Sequence, residues 1–268
     1  MTDQNLLFNF IGVSVVDWHA AFKFFSGTLG LKYKLDPQHG DWAVFGSAWD
    51  AYYKAGSRSA IFELFDNGRA VKERSWGANQ GIRPSFHVSN LDAVMENSEL
   101  SFTVEERPWG KTAEFNTTEG IRFALAEIPD APFSDDLSTP YIGHVAIKCA
   151  DFDAMQEFYG NILGFTRSEV GSNYAVFTQK DGYPFLILER GGKPSTFDTR
   201  DTQWEDDAVR AFPVFISLMT TDIQSIHAYL ESKNAAILRG VLVGEDWGGT
   251  DFHIADPDGN GLQVVQYQ

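Results

Sequence analysis

Cysteine is nearly absent from this chain: Cys149 stands alone, which excludes an intramolecular disulfide framework and any multi-cysteine metal site and suits a reducing compartment. Long apolar runs are missing too. No stretch approaches the ~20 residues that cross a bilayer, and the opening Met1-Thr-Asp-Gln-Asn-Leu-Leu-Phe8 lacks the basic segment and apolar run of a signal peptide. A cytoplasmic protein is expected. Basic residues are scarce, with 21 Lys and Arg against 37 Asp and Glu and a formal net charge of -16. A field of that sign repels nucleic-acid phosphates and anionic lipid headgroups, so neither nucleic acid nor membrane is an expected partner. A cationic or neutral small molecule suits it better. There is no Gly-x-Ser-x-Gly elbow and no phosphate-cradling glycine-rich loop before Lys-Ser/Thr, so covalent catalysis has no visible support.

Repetition is what the chain has. Asp17-Trp-His-Ala-Ala-Phe-Lys-Phe-Phe-Ser-Gly-Thr-Leu-Gly30 and Asp151-Phe-Asp-Ala-Met-Gln-Glu-Phe-Tyr-Gly-Asn-Ile-Leu-Gly164 carry Asp, an aromatic pair and Leu-Gly at the same spacing, the mark of a duplication. In each copy a β-branched run precedes Asp, which caps a helix that glycine stops. Strand-like runs follow at Trp42–Phe45 and Ser59–Phe65, and again at Tyr174–Phe177 and Pro184–Glu189. Two weaker units begin at Arg83 and Phe212. They share Pro108-Trp-Gly110 and Asp246-Trp-Gly248, followed by turns at Thr117–Gly120 and Asp256-Pro-Asp-Gly259. Four units thus run in series, and the proline-rich, acidic stretch within 129–140 reads as a linker between 1–131 and 139–268. Segments 66–80 and 190–211, with Trp76 and Trp204, read as exposed connections or lids.

Alternate residues of a strand share a face. Ile11/Val13/Val15, Phe86/Val88, Val145/Ile147 and Ile216/Leu218 are therefore expected under the helices. The opposite face carries Phe10/Gly12/Ser14, Arg83/Ser85/His87, His144/Ala146/Lys148 and Phe215/Ser217/Met219, a polar and apolar mixture of the kind a small-molecule site uses.

His144-Val-Ala-Ile, Asp151, Phe158-Tyr159, Leu163-Gly164 and Asp256-Pro-Asp-Gly-Asn260 resemble the vicinal oxygen chelate superfamily, which holds glyoxalase I, bleomycin-resistance proteins and extradiol dioxygenases. The resemblance implies an α+β fold of four βαβββ units in two tandem glyoxalase/dioxygenase-like domains, 1–131 and 139–268. Their paired units curve into cups that hold a ligand and often a divalent metal, and dimers are common in the family. It also places metal ligands near the start of the first strand and the end of the last. The first-strand positions here are Phe10, Arg83, His144 and Phe215; the last-strand positions are Glu63, Ala124, Leu188 or Glu189, and Gln263.

Only His144 among the first-strand set can ligate, and no pairing of units completes a site of the usual donors. Metal candidates are His144, Glu63 and Gln263, with His253 as a substitute whose face is ambiguous. His144 reads equally as a relic ligand, a polar contact or general base, or a satisfied strand histidine; Glu63 is a second candidate base. Phe10, Arg83, His87, Lys148, Phe215 and Met219 are the candidate ligand contacts, the two phenylalanines by stacking on a planar molecule. The leading expectation is a small-molecule-binding protein with a metal-free aromatic cup, acting by sequestration or by unassigned chemistry. The alternatives are a glyoxalase-type lyase or isomerase, or a dioxygenase, with a divalent metal on an atypical ligand set, and a partner-binding module with filled cups. Whether the chain forms a homodimer is left open.

Overall fold

Four strand ends share one local device. The Asp or Asn that closes the first strand of each unit accepts a hydrogen bond from the backbone N–H three residues on: Asp17 from Ala20 at 2.9 Å, Asn90 from Ala93 at 2.9 Å, Asp151 from Ala154 at 3.0 Å and Asp222 from Ser225 at 3.1 Å. Each thereby satisfies an orphan donor of the helix it starts.

The computed structural model describes residues 6–31, 33–35, 42–45, 61–66, 81–128, 141–178, 184–194, 212–244 and 248–267. The expected linker, the lid-like segments apart from Asp66 and residues 190–194, and Trp247 fall outside them. The first unit comprises β1 (Leu7–Val15), α1 (Trp18–Lys23), β2 (Tyr33–Leu35), β3 (Trp42–Phe45) and β4 (Ile61–Asp66). The second comprises β5 (Ile82–His87), α2 (Leu91–Glu96), β6 (Thr103–Arg107), β7 (Gly110–Asn116) and β8 (Arg122–Glu127). In the third are β9 (Tyr141–Cys149), α3 (Phe152–Glu157), β10 (Thr166–Val170), β11 (Tyr174–Thr178) and β12 (Pro184–Arg190). The fourth holds β13 (Val214–Met219), α4 (Ile223–Ser232), β14 (Ala236–Gly244), β15 (Gly249–Ala255) and β16 (Gly261–Tyr267). The fold is α+β, with two eight-stranded sheets.

The first and third helices do not run as uniform α-helix to their glycines. Both widen in the last turn, where Leu29 N–H bonds Phe24 C=O at 3.1 Å and Leu163 N–H bonds Phe158 C=O at 2.8 Å, five residues apart. Gly30 and Gly164 then take positive φ of 65° and 80°, where a side chain would be strained.

Sheet one has the order β14-β15-β16-β13-β1-β4-β3-β2 and sheet two β10-β11-β12-β9-β5-β8-β7-β6. Unit one therefore pairs with unit four through antiparallel β1 and β13, and unit two with unit three through β5 and β9. Each sheet draws one unit from each half of the chain. Within every unit the first strand lies parallel to the last.

The apolar faces assigned by alternation all enter one buried cluster that joins the helix-facing sides of both sheets; it includes Ile11, Val13, Val15, Phe86, Val88, Val145, Ile147, Ile216 and Leu218. Cys149 is buried in the same cluster, and burial pushes its thiol pKa up, so it is an inert packing group. The opposite faces curl inward. Arg107 on the edge strand β6 reaches Glu189 on β12 at 3.1 Å although four strands lie between them.

Two carboxylates tie adjoining units. Glu119, in the β7–β8 turn, accepts from the N–H groups of Val16 and Asp17, each at 2.9 Å. Asp258, in the β15–β16 turn, accepts from Ala150 at 2.7 Å and Asp151 at 3.1 Å. The Asp-Pro-Asp-Gly-Asn segment is thus more than a turn. Asp256 accepts from the Asp258 and Asn260 N–H groups, the Asn260 amide and, at 3.1 Å, the Tyr159 hydroxyl.

Candidate functional site

The concave face of sheet one is aromatic at its centre. Phe10 and Phe215 meet edge to face at 6.0 Å, and Phe65 lies 5.8 Å from Phe215. Val44, Phe212, Leu238 and Tyr267 pack around them. The Phe215 ring sits directly over Gly12, where a Cβ would overlap it. A polar chain runs alongside. Asn9 donates to Ser217 Oγ at 3.3 Å and to Tyr267 Oη at 3.1 Å, Ser217 donates to Gln263 at 3.0 Å, and Gln263 donates to Asp251 at 2.7 Å. Asp251 also holds Arg239.

His253, ambiguous from sequence, belongs to this face: its Nε2 lies 3.1 Å from Asp251 and 2.9 Å from Arg239. It donates to Asp251 when protonated there and accepts from Arg239 when not. Glu63 is buried between Gly12 and Val44 in the strand register. Met219 pairs with Leu7 and Val265 at the end of β13.

His144 lies in sheet two. It therefore does not join Glu63, His253 and Gln263 in one ligand set, because pairing unit two with unit three carries it to a different sheet.

Sheet two has charge where sheet one has phenylalanine. Arg83, on β5, pairs with Glu114 on β7 and, at 3.1 Å, with Glu189 on β12. Arg107 reaches both carboxylates, Glu114 at 3.2 Å and Glu189 at 3.1 Å, and also pairs with Glu105. The register assigns Glu189, not Leu188, to this face: Leu188 enters the apolar core, while Glu189 lies beside Lys148. Ala124 and Ala126 flank Ser85 and His87, and Ala146 follows His144. These small residues keep the floor low. Trp109, in the β6–β7 turn, crosses the cup to pack on Ala146, Val176 and Ile187, with Tyr174 beside it at 5.4 Å.

His87 Nε2 and His144 Nδ1 are 2.8 Å apart, and each residue is 1% exposed. Burial lowers the His87 pKa to about 3. It pulls His144 well down too, helped by the adjacent His87 and Arg83 charges. Both imidazoles are therefore neutral, and one donates to the other. Among the described residues, six buried side-chain atoms of this face have no hydrogen-bond partner: Arg83 Nε, Ser85 Oγ, Arg107 Nε, Trp109 Nε1, His144 Nε2 and Glu189 Oε2. Such atoms cost about 1–3 kcal/mol each when left unmet, so their concentration on one face is the strongest chemical signal among the described residues.

The face assignments and His144 followed from strand alternation and spacing. Arg107 and Glu114 did not, because they act across the curl of the sheet. Their one sequence signal was proximity to Pro108-Trp-Gly110, whose tryptophan crosses the same cup.

The donor set does not fit a divalent metal. In sheet one, Phe10 and Phe215 offer no lone pair and pack on each other. In sheet two, a guanidinium occupies one expected position and Ala124 another, while His144 Nδ1 is engaged by His87. Among the described residues, no group of three or more His, Cys, Asp or Glu side chains is arranged to hold an ion. No helix among them is long and apolar enough to cross a membrane.

Residues 141–264 match the family model described as the Glyoxalase/Bleomycin resistance protein/Dioxygenase superfamily. No curated protein matches the chain in sequence. Among solved structures, glyoxalase I from Zea mays aligns with a TM-score of 0.66 and 15% identity, covering 97% of this chain and 92% of that one. A Bacillus subtilis protein provisionally named a dioxygenase aligns at 0.63 and 12% identity, covering 97% and 84%. At these identities the likeness is one of fold.

Proposed function

Since residues 141–264 of this chain belong to the Glyoxalase/Bleomycin resistance protein/Dioxygenase superfamily, we propose that the protein binds a small organic molecule on a concave sheet face without a metal ion. It acts by sequestration or by chemistry that its own side chains supply. The observation that carries this reading is the replacement of metal-compatible donors by Phe10 and Phe215 in one cup and by Arg83, ion-paired to Glu189, in the other. A guanidinium repels a divalent cation and holds the carboxylate that would attract it. The walls support binding of a carbon-rich molecule: phenylalanines in sheet one, Trp109 and Tyr174 in sheet two.

Elemental analysis of protein purified without chelator, followed by titration with iron, zinc, nickel and manganese, tests the metal-free part. Substoichiometric content and no saturable binding are expected; one tightly held ion per chain contradicts the reading. A thermal-shift screen over a diverse compound panel tests the ligand part, since a ligand at 100 times its Kd stabilises by about 2.7 kcal/mol. No stabilisation across the panel would leave cups filled only by side chains.

A further inference from the structure

Resting on that reading, we infer that the working cup is the one in sheet two, and that its ligand is a neutral, planar molecule presenting both hydrogen-bond donors and acceptors. The location follows from the unmet atoms. In sheet one the Asn9–Ser217–Gln263–Asp251 chain satisfies its members in turn and phenylalanines fill the centre; Ser14 Oγ is unmet there, against six such atoms in sheet two. In sheet two, Ser85 Oγ, His144 Nε2 and Glu189 Oε2 are buried without partners beside a floor of Ala124, Ala126 and Ala146. Each of those three residues is more than nine-tenths buried.

The charge follows from the partners. Arg83 and Arg107 face Glu114 and Glu189, and the rim groups Lys148 and Glu105 add one charge of each sign. His87 and His144 are held neutral by burial. Among the described residues these charges balance one another, and an unbalanced buried ion costs several kcal/mol. The chain's acidity therefore describes its outer field and not the ligand.

The unmet groups are of both kinds. Arg83 Nε, Arg107 Nε and Trp109 Nε1 can only donate, Glu189 Oε2 accepts, and Ser85 Oγ and His144 Nε2 can do either. A ligand with one type alone would leave the others unsatisfied. Planarity follows from the apolar surface beside the unmet atoms: it is aromatic, with Trp109 packed on Ala146, Val176 and Ile187 and Tyr174 next to it, and a flat ring stacks on such a surface better than a branched chain.

The test uses three ring compounds of similar size: 2-pyridone, which is neutral with adjacent N–H and C=O; benzoate, an anion; and benzamidine, a cation. Full-length protein labelled with 15N-histidine is titrated with each. The expected result is saturable shifts of the His87 and His144 resonances with 2-pyridone, no shift of His253, and a Kd for 2-pyridone at least about tenfold below that for either ion, given the cost of unbalanced burial. Ser85→Ala, a change small enough to preserve the fold, should weaken 2-pyridone about fivefold by removing one contact. Benzoate or benzamidine binding as tightly as 2-pyridone overturns the inference, as do shifts confined to His253. If none of the three binds while other compounds of the diverse panel stabilise the protein, this inference fails and the wider reading survives. If nothing in either set binds, both fail.

Discussion

At the residue scale, the two cups use equivalent positions for opposite purposes. The helix caps Asn90 and Asp222 align Arg83 with Phe215, and Asp17 with Asp151 aligns His144 with Phe10. The registers Trp42–Phe65 and Tyr174–Glu189 align Glu189 with Phe65. An aromatic trio in one sheet thus stands where a guanidinium, a carboxylate and an imidazole stand in the other. Breaking the ionic set should be costly: Arg83→Met leaves Glu189 and Glu114 with less compensation and is expected to lower stability by about 3–5 kcal/mol. Arg83→Met/Glu189→Met should cost less than the two single changes added together, as urea midpoints would show. Equality with the sum would mean that the pair is not coupled.

The histidine pair gives a pH signature. His87 titrates near 6.5 when unfolded and near 3 when folded, so between those values the unfolded chain binds a proton that the native one does not. Stability contributed by neutral His87 is intact above pH 6.5 and falls as pH drops toward 3, by about 1.4 kcal/mol per unit. His144 shifts in the same direction. His87→Gln should flatten the dependence of ΔG on pH between 6 and 4 relative to the parent protein. An unchanged slope would show that His87 is not a buried neutral base.

At the scale of elements, the short helices depend on what is bonded to their ends. Each of the carboxylates of Glu119 and Asp258 serves two backbone N–H groups of a neighbouring unit. Asp258→Ala and Glu119→Ala should each lower stability by about 1–3 kcal/mol, with Asn at position 258 recovering part of the loss; a loss below 0.5 kcal/mol on the scale of ordinary surface changes would contradict the role. The helix starts were legible because an Asp or Asn after a β-branched run has a local reason to be there. The widened final turns at Phe24–Thr28 and Phe158–Ile162 were not, since nothing in local spacing separates a six-residue α-helix with a wide turn from a longer regular one. The Asp-Pro-Asp-Gly-Asn turn was legible as a turn and invisible as a lock, because Tyr159 and the Ala150–Asp151 amides reach it only in three dimensions.

For the whole molecule, strand pairing determines what can share a site. Spacing identified four units and alternation sorted their faces, but which units pair is decided by contacts between halves and could not be read from order alone. That choice separates His144 from Glu63, His253 and Gln263 and brings Arg107 to Glu189. It also predicts how the chain holds together. With β1 paired to β13 and β5 to β9, a protease site inserted within 129–140 should yield halves that coelute after cleavage and separate only in denaturant. Halves that part in native buffer would contradict the two shared sheets.

The central claim, a metal-free site for a small organic molecule, is tested most directly by one titration series on 15N-histidine-labelled protein. Zn2+, which is diamagnetic, is added first, and 2-pyridone is then added to a fresh sample. The account predicts that Zn2+ leaves the His87 and His144 resonances in place and that 2-pyridone moves them saturably. Stoichiometric Zn2+ shifts at His144, with no response to 2-pyridone, would contradict it.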